Sequence, residues 1–351
     1  MPHQPKTLLE KGKSPPDLRV VAIGGGTGLS TLLKGLKRYV VTPALAASGQ
    51  ATISELCGVV TVSDDGGSSG RLRKEFNMLP PGDVRNCVVA LSEDEALLSR
   101  LFQHRFQKGS GLEGHSFGNL FLAALTSITG DFAEAVRLSS EILLTRGHIY
   151  PATTSNVELE AEFEDGTRVR GETRITASKG KIRELFLVPP DVQPLPQTFE
   201  AIASADLITI GPGSLFTSLI PNLLVRGMGE AIVSSNAVKV YICNLMTQAN
   251  ESLGLSASDH IRALNRHARV QLFDYALINR TPVSPDLKAK YALEGASQIT
   301  VDLEAIEAIG ICPVLGDYLD EDTVARHAAD RVASDLMSLM AQMPDHQAAS
   351  R

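Results

Sequence analysis

Tryptophan is absent from the 351 residues, and all aromatics together make up only 5% of the chain. Stacking surface for flat rings is therefore scarce. Cysteine is almost as sparse. Cys57, Cys87, Cys243 and Cys312 are scattered, with no CxxC pair and no histidine at finger spacing. That excludes a zinc finger and a disulfide framework, and predicts four small buried hydrophobes in a reducing compartment. No stretch approaches the ~18 apolar residues of a membrane span. Residues 1–17, "MPHQPKTLLEKGKSPPD", are polar and proline-bearing, which predicts a flexible tail and no secretory signal. The expected location is the cytoplasm. An excess of positive charge is missing too: 33 Lys plus Arg against 40 Asp plus Glu leaves −7. Nucleic-acid binders usually show a basic face, so no nucleic-acid partner is expected.

What is present is ordinary soluble-protein composition, 43% hydrophobic and 21% charged, arranged in a recurring rhythm. The short apolar run "LRVVAI" (18–23) enters "GGGTGLSTLLKGLK", where Leu29, Leu32, Leu33 and Leu36 fall at helical spacing. "GVVTV" (58–62) then enters a second glycine-rich turn. Strand, glycine turn, helix, repeated, predicts an α/β fold: a Rossmann-like three-layer α/β/α core. Its first part is expected over 18–71 and its second over 191–338. Between them, 72–148 reads as an inserted helical subdomain. Residues 149–190 read as a β-meander of hairpins, with turns at Asp165-Gly166 and Lys179-Gly180. Residues 339–351 read as a second flexible tail, and no repeat of fixed period is visible.

Five stretches carry candidate chemistry. In "AIGGGTGLS", Gly24, Gly25, Gly26 and Gly28 permit close backbone approach, and the helix that follows aims free N–H groups, with Thr27, at an anion or phosphate. The spacing is neither a dinucleotide fingerprint nor a Walker loop, so a dinucleotide-dependent oxidoreductase is disfavoured. In "GPGSLFTSLIPN", Gly211, Pro212 and Gly213 form a second such turn, with Ser214, Thr217 and Asn222 along the helix after it. Two cradles at strand ends suit two phosphates, or a phosphate and a sugar. In "VTVSDDGGSSGRLR", Asp64 and Asp65 could hold sugar hydroxyls or a cation, or merely flank a helix capped by Ser68 or Ser69. "PPGDVRNC" and "GHSFGNL" set Asp83 and Asn86, and His115 and Asn119, before apolar helices. Asp83 could join Asp64 and Asp65 around a cation. His115 is a candidate base, although a structural hydrogen bond is its plainer role. Asn244, Thr247 and Gln248 in "ICNLMTQ" follow another buried strand and suit a neutral base or sugar amide. No nucleophile–base pair stands out.

Taken in chain order, these six motifs over residues 18 to 335 (GGGTGLS, VTVSDDGGSSGRLR, PPGDVRNC, GHSFGNL, GPGSLFTSLIPN and ICNLMTQ) resemble those of the YvcK/CofD-like family. The resemblance implies the Rossmann-like core with an inserted helical part. One arm of that family, CofD, transfers a phospholactyl group from a nucleotide-activated donor to a deazaflavin with a divalent metal. The other arm, YvcK, is a factor for cell shape and wall synthesis under gluconeogenic growth, associated with UDP-sugars such as UDP-N-acetylglucosamine. The wording "GGGTGLS" and "DDGGSSGRLR" stands closer to the YvcK arm. For this chain the resemblance implies a bound UDP-sugar or related nucleotide, with a dinucleotide as the remaining option. It also implies Mg²⁺ at Asp64, Asp65 and Asp83 if a metal is used, and cell-wall synthesis proteins as partners. It leaves a homo-oligomer open.

Overall fold

The structure is a computed structural model and describes residues 17–48, 50–93 and 97–343. Most of the sequence-predicted tails, 1–16 and 344–351, lies outside the described residues. The first half opens with β1 (Asp17–Gly24), α1 (Gly26–Lys37), α2 (Pro43–Ser48) and β2 (Thr52–Val60). Five helices follow: α3 (Gly67–Phe76), α4 (Gly82–Leu91), α5 (Leu97–Gln103), α6 (Phe117–Thr129) and α7 (Phe132–Ile142). Then come β3 (His148–Pro151), β4 (Glu158–Phe163), β5 (Arg168–Arg170), α8 (Glu172–Ala177) and β6 (Ile182–Val188).

The second half runs α9 (Pro196–Ser204), β7 (Leu207–Ile210) and a π-helical turn (Leu215–Leu219) that continues into α10 (Ile220–Leu223). After α11 (Met228–Ser234) and β8 (Val238–Ile242) come α12 (Ala257–Ala268), β9 (Tyr275–Asn279), α13 (Pro285–Ala292) and α14 (Leu303–Ala308). The chain closes with β10 (Cys312–Gly316), the two short strands β11 (Leu319–Glu321) and β12 (Ala325–His327), and α15 (Ala329–Gln342).

Seven strands form one parallel sheet in the order β10-β9-β8-β7-β1-β2-β3. Its central strands are buried on both faces: Val20, Val21, Ala22, Ile23, Ile208 and Ile210 are all within 1% of full burial. That is why they read as unbroken apolar runs instead of alternating ones. Chain order runs one way from β1 to β3 and the opposite way from β7 to β10. Right-handed crossovers therefore put α1 and α4, with α15 against α1, on one face, and α11 and α12 on the other. This is the expected three-layer α/β/α core.

Three expectations change. The 149–190 meander loses its first strand, because His148–Pro151 joins the main sheet parallel to β2. What remains is a three-stranded antiparallel sheet, β5-β4-β6, with its hairpin turn at Asp165-Gly166. The segment after Arg170 is a helical turn, not a strand, because Gly171 at φ +98° breaks the ladder there. The cores' edges also move: β1 takes in Asp17, and α15 continues to Gln342 through part of the predicted tail. Finally, Cys57, Cys87 and Cys243 are buried but Cys312, on the edge strand β10, is exposed. Among the described residues no helix is long and apolar enough to cross a membrane.

Candidate functional site

Strand order reverses between β1 and β7, and open α/β sheets bind ligands beyond the carboxyl ends of such a pair. The register Ile23↔Ile210 sets Gly24 and Gly211 side by side, so both glycine turns leave the sheet together. Their approach is very close: a Cβ on Gly28 would lie 2.3 Å from the Pro212 carbonyl oxygen. Asn222 ties the turns further, donating from Nδ2 to the Gly24 oxygen at 3.1 Å and to the Ser218 oxygen at 2.8 Å. Between the turns opens a cleft of about 500 Å³, lined by Gly25, Gly26, Thr27, Gly28, Pro212, Gly213, Ser214, Thr217, Asn244, Thr247 and Gln248, among others. All five sequence stretches thus send residues to one cavity, the third through Asp64 and the fourth through Asp83.

The two turns use their amides differently. At the first, Gly26 donates its N–H to Asp83 Oδ2 at 2.7 Å. Thr27 and Gly28 are first-turn helix donors with no carbonyl four residues behind them inside α1, and they border the cleft. At the second, the protein supplies its own anion. Phe216 and Thr217 both donate to Glu251 Oε1 at 2.9 Å. Burial pushes Glu251 above the usual carboxylate range, against the pull of those two amides. Asn244 brackets Gly213, accepting its N–H at 3.3 Å and donating to its carbonyl at 2.7 Å. Gln248 donates to Ser214 Oγ at 2.8 Å, and Thr247 pairs with the backbone of Ser297. The second turn is therefore braced from within, where the sequence predicted an open cradle.

The adjacent acids part company. Asp64 lines the cleft and accepts from the Gly66 N–H at 2.8 Å. Asp65 accepts from Thr173 N at 2.9 Å and Thr173 Oγ1 at 2.6 Å, on α8. The next residue toward the cleft from Thr173 is Glu172, which lines the cavity with Asp64 and Asp83. Burial, then the charges of Asp64 and Asp83 and a hydrogen bond with Asp64, raise Glu172 well above the ordinary glutamate value. Burial likewise pushes Asp83 up to about 6, opposed by the Gly26 amide. Neither Ser68 nor Ser69 caps α3; its N-cap is Gly66, without a side-chain bond.

For a divalent cation this donor set is hard and oxygen-rich, yet incomplete. Among the described residues no group of three or more His, Cys, Asp or Glu could hold a metal ion. Carboxylates of Asp64 and Asp83 fit Mg²⁺ in the manner that takes its remaining ligands from water and substrate phosphates. Asp65 faces α8 instead.

Tyr291, Arg326 and His327 also line the cleft. His327 is 3.0 Å from the Cys243 carbonyl through Nε2, and burial lowers it to about 4, so its ring is neutral. These three residues and Glu172 were invisible to motif reading. None lies in one of the five motif stretches, and α13, β12 and α8 reach the cleft only through tertiary packing.

The remaining candidates form a separate buried cluster. Ser68 Oγ lies 2.9 Å from His115 Nδ1 and accepts from Asn119 Nδ2 at 3.1 Å. Arg85 donates to Ser116 Oγ and to Asn86 Oδ1. Ser68, Asn86, His115 and Asn119 are not among the cleft-lining residues. Burial lowers His115, with help from the Arg71 and Arg105 charges, and its neutral ring is 3% exposed. The ring ties α3 to the loop before α6 through Ser68.

Comparison with known proteins agrees with this architecture. The model of the family described as 2-phospho-L-lactate transferase CofD matches residues 20–319. A gluconeogenesis factor of Halalkalibacterium halodurans is 50% identical over 91% of this chain and 95% of its own length. The gluconeogenesis factor of Bacillus subtilis is 46% identical, covering 92% of this chain and 98% of that one. A crystal structure of a Bacillus halodurans protein superposes with a TM-score of 0.86 at 49% identity, over 92% of this chain and 99% of the other. The chain therefore belongs to the CofD family, on its gluconeogenesis-factor (YvcK) arm.

Proposed function

We propose that this protein is a cytoplasmic factor that binds a nucleotide sugar of the UDP-N-acetylglucosamine type and regulates cell shape and wall synthesis under gluconeogenic growth. The observation that carries the reading is the pair of glycine turns touching at Gly28 and Pro212 over a polar cleft. The Thr27 and Gly28 amides suit a phosphate at the positive end of α1. Asp64 and Glu172 suit sugar hydroxyls, and Arg326, which also lines the cleft, suits the second phosphate. The lining contains no hydroxyl or thiol hydrogen-bonded to a side-chain base, which favours binding over turnover.

The acidic wall supports a second reading, metal-dependent transfer of the CofD type. There Asp64 and Asp83 would hold a divalent cation, which would supply positive charge to offset that of the donor's phosphates. The chain's own share would be to orient the donor on the α1 amides. A thermal-shift panel tests both readings, with UDP-sugars, GDP, NAD and a deazaflavin, each with and without Mg²⁺. Binding only to the folded form raises the midpoint. The first reading expects UDP-N-acetylglucosamine to give the largest rise. No response to any UDP-sugar, with a response to GDP or deazaflavin that requires Mg²⁺, would move the assignment to the second.

A further inference from the structure

We propose that Asp65 is a positioning residue that never touches the guest, and that it fixes α8 so that Glu172, not Asp65, is the second carboxylate presented beside Asp64. This rests on reading the cleft as the ligand site. Asp65 occupies the N-terminal turn of α8 from outside that helix. One carboxylate oxygen accepts both Thr173 N–H, at 2.9 Å, and Thr173 Oγ1–H, at 2.6 Å. A carboxylate on first-turn donors is a capping interaction, here made by a residue 108 positions away.

The approach is built for closeness. Gly171, at φ +98°, passes so near that a Cβ would stand 2.7 Å from Asp65 Oδ2. The helix has no cap of its own, since its N-cap residue is that glycine. It is held as well by the fully buried Ile175, by packing on β4 and β5, and by a bond from Asn250 Nδ2 to the Thr176 carbonyl at 3.2 Å. Glu172 precedes Thr173 directly, so whatever fixes Thr173 sets where the Glu172 carboxyl meets Asp64 and the cavity. Adjacent acids on one loop thereby do different work: Asp64 faces the cleft, and Asp65 holds the element that completes the same wall.

Two kinds of measurement test this. Hydrogen–deuterium exchange reads the α8 amides at 172–177. Binding is read with Mn²⁺ alone by electron paramagnetic resonance, and with UDP-N-acetylglucosamine by calorimetry. Asp65→Ala is expected to speed exchange at 172–177 at least tenfold, whereas Glu172→Gln leaves it unchanged. Each is expected to weaken at least one probe by about tenfold, and the double variant is expected to bind no worse than Glu172→Gln. That non-additivity marks a residue acting through another. Thr173→Val, which removes one hydroxyl, is expected to shift exchange and affinity the same way by a smaller step, and serves if Asp65→Ala does not fold. Losses that multiply in the double variant would overturn the proposal, since Asp65 would then meet the guest directly. So would unchanged exchange in both Asp65→Ala and Thr173→Val, or full affinity in Glu172→Gln. Wild-type protein that takes up neither probe overturns the Glu172 assignment together with the reading of the cleft, while the exchange arm judges the Asp65–α8 latch independently.

Discussion

The two glycine turns look equivalent in sequence and behave as opposites in the fold. The turn after β1 leaves the Thr27 and Gly28 amides facing the cleft, with only Gly26 bound internally, to Asp83. In the turn after β7, Gly213, Phe216 and Thr217 are all satisfied from within, by Asn244 and Glu251. A glycine-rich strand end therefore announces exposed amides without saying who will use them. Here one turn leaves first-turn donors at the cleft, and the other holds a buried carboxylate of its own that fixes its shape. On the proposed reading, rigidity in one wall would let the other bind at a lower ordering cost.

Breaking the contact between the turns should have the largest effect. Gly28→Ala puts a methyl 2.3 Å from the Pro212 carbonyl, a backbone atom that cannot rotate aside. The expected result is a loss of nucleotide-sugar affinity of a hundredfold or more in calorimetry. Chemical denaturation should show an overpacking cost of about 1–3 kcal/mol. Wild-type affinity in this variant would mean that the guest does not span both turns.

Removing the internal anion from the second turn comes next. Glu251→Ala leaves the buried Phe216 and Thr217 amides without an acceptor, at an expected cost of about 2–4 kcal/mol in urea unfolding. Glu251→Gln keeps an acceptor oxygen and gives up the charge, so it should cost less than half as much. If both variants were equally destabilised, the charge and not the acceptor would be what the turn requires.

The first turn has its own signature, in pH. Burial holds Asp83 at about 6 in the fold against an ordinary 3.8. A carboxyl raised by folding keeps its proton more tightly when folded. Its contribution is therefore full below about pH 4 and is lost as pH rises through about 6. Because Asp83 borders the cleft, the loss should be on the order of 1–2 kcal/mol. Asp83→Asn keeps an acceptor for Gly26 and no longer titrates. Its stability between pH 4 and 6 should be flatter than wild type by that amount.

How much of this was legible follows from which forces act locally. The sheet was readable because parallel strands buried on both faces are near-continuous apolar runs, unbroken in Val20–Ile23 and interrupted in Leu207–Ile210 only by the buried Thr209. The glycine turns were readable because close backbone approach tolerates almost nothing else, as at Gly28. The partners of those turns were not. Glu251, Glu172, Arg326 and His327 reach the site through contacts that join distant segments, and no spacing in the chain encodes such a meeting. The same limit explains the acids: the sequence shows that Asp64 and Asp65 are adjacent, and only packing shows that they point to different elements. It also explains His115 and Asn119. A polar residue ahead of an apolar helix is the same pattern whether it serves a ligand or a neighbouring loop.

That last ambiguity supplies the smallest and most discriminating expectation. His115 is buried, neutral and bonded to Ser68, in a cluster whose members do not line the cleft. His115→Ala should remove one buried hydrogen bond and cost about 1–2 kcal/mol of stability. Nucleotide-sugar affinity should stay within twofold of wild type, because the α1 amides and the braced second turn are untouched. A tenfold or greater loss, with stability corrected for, would show that the guest reaches past Asp64 to the mouth of α6. The cleft would then extend along α3, and Ser68 and Asn119 would return as contacts. Unchanged affinity keeps the division drawn between the two polar regions: one built to be filled, the other built to hold the insertion helices in place.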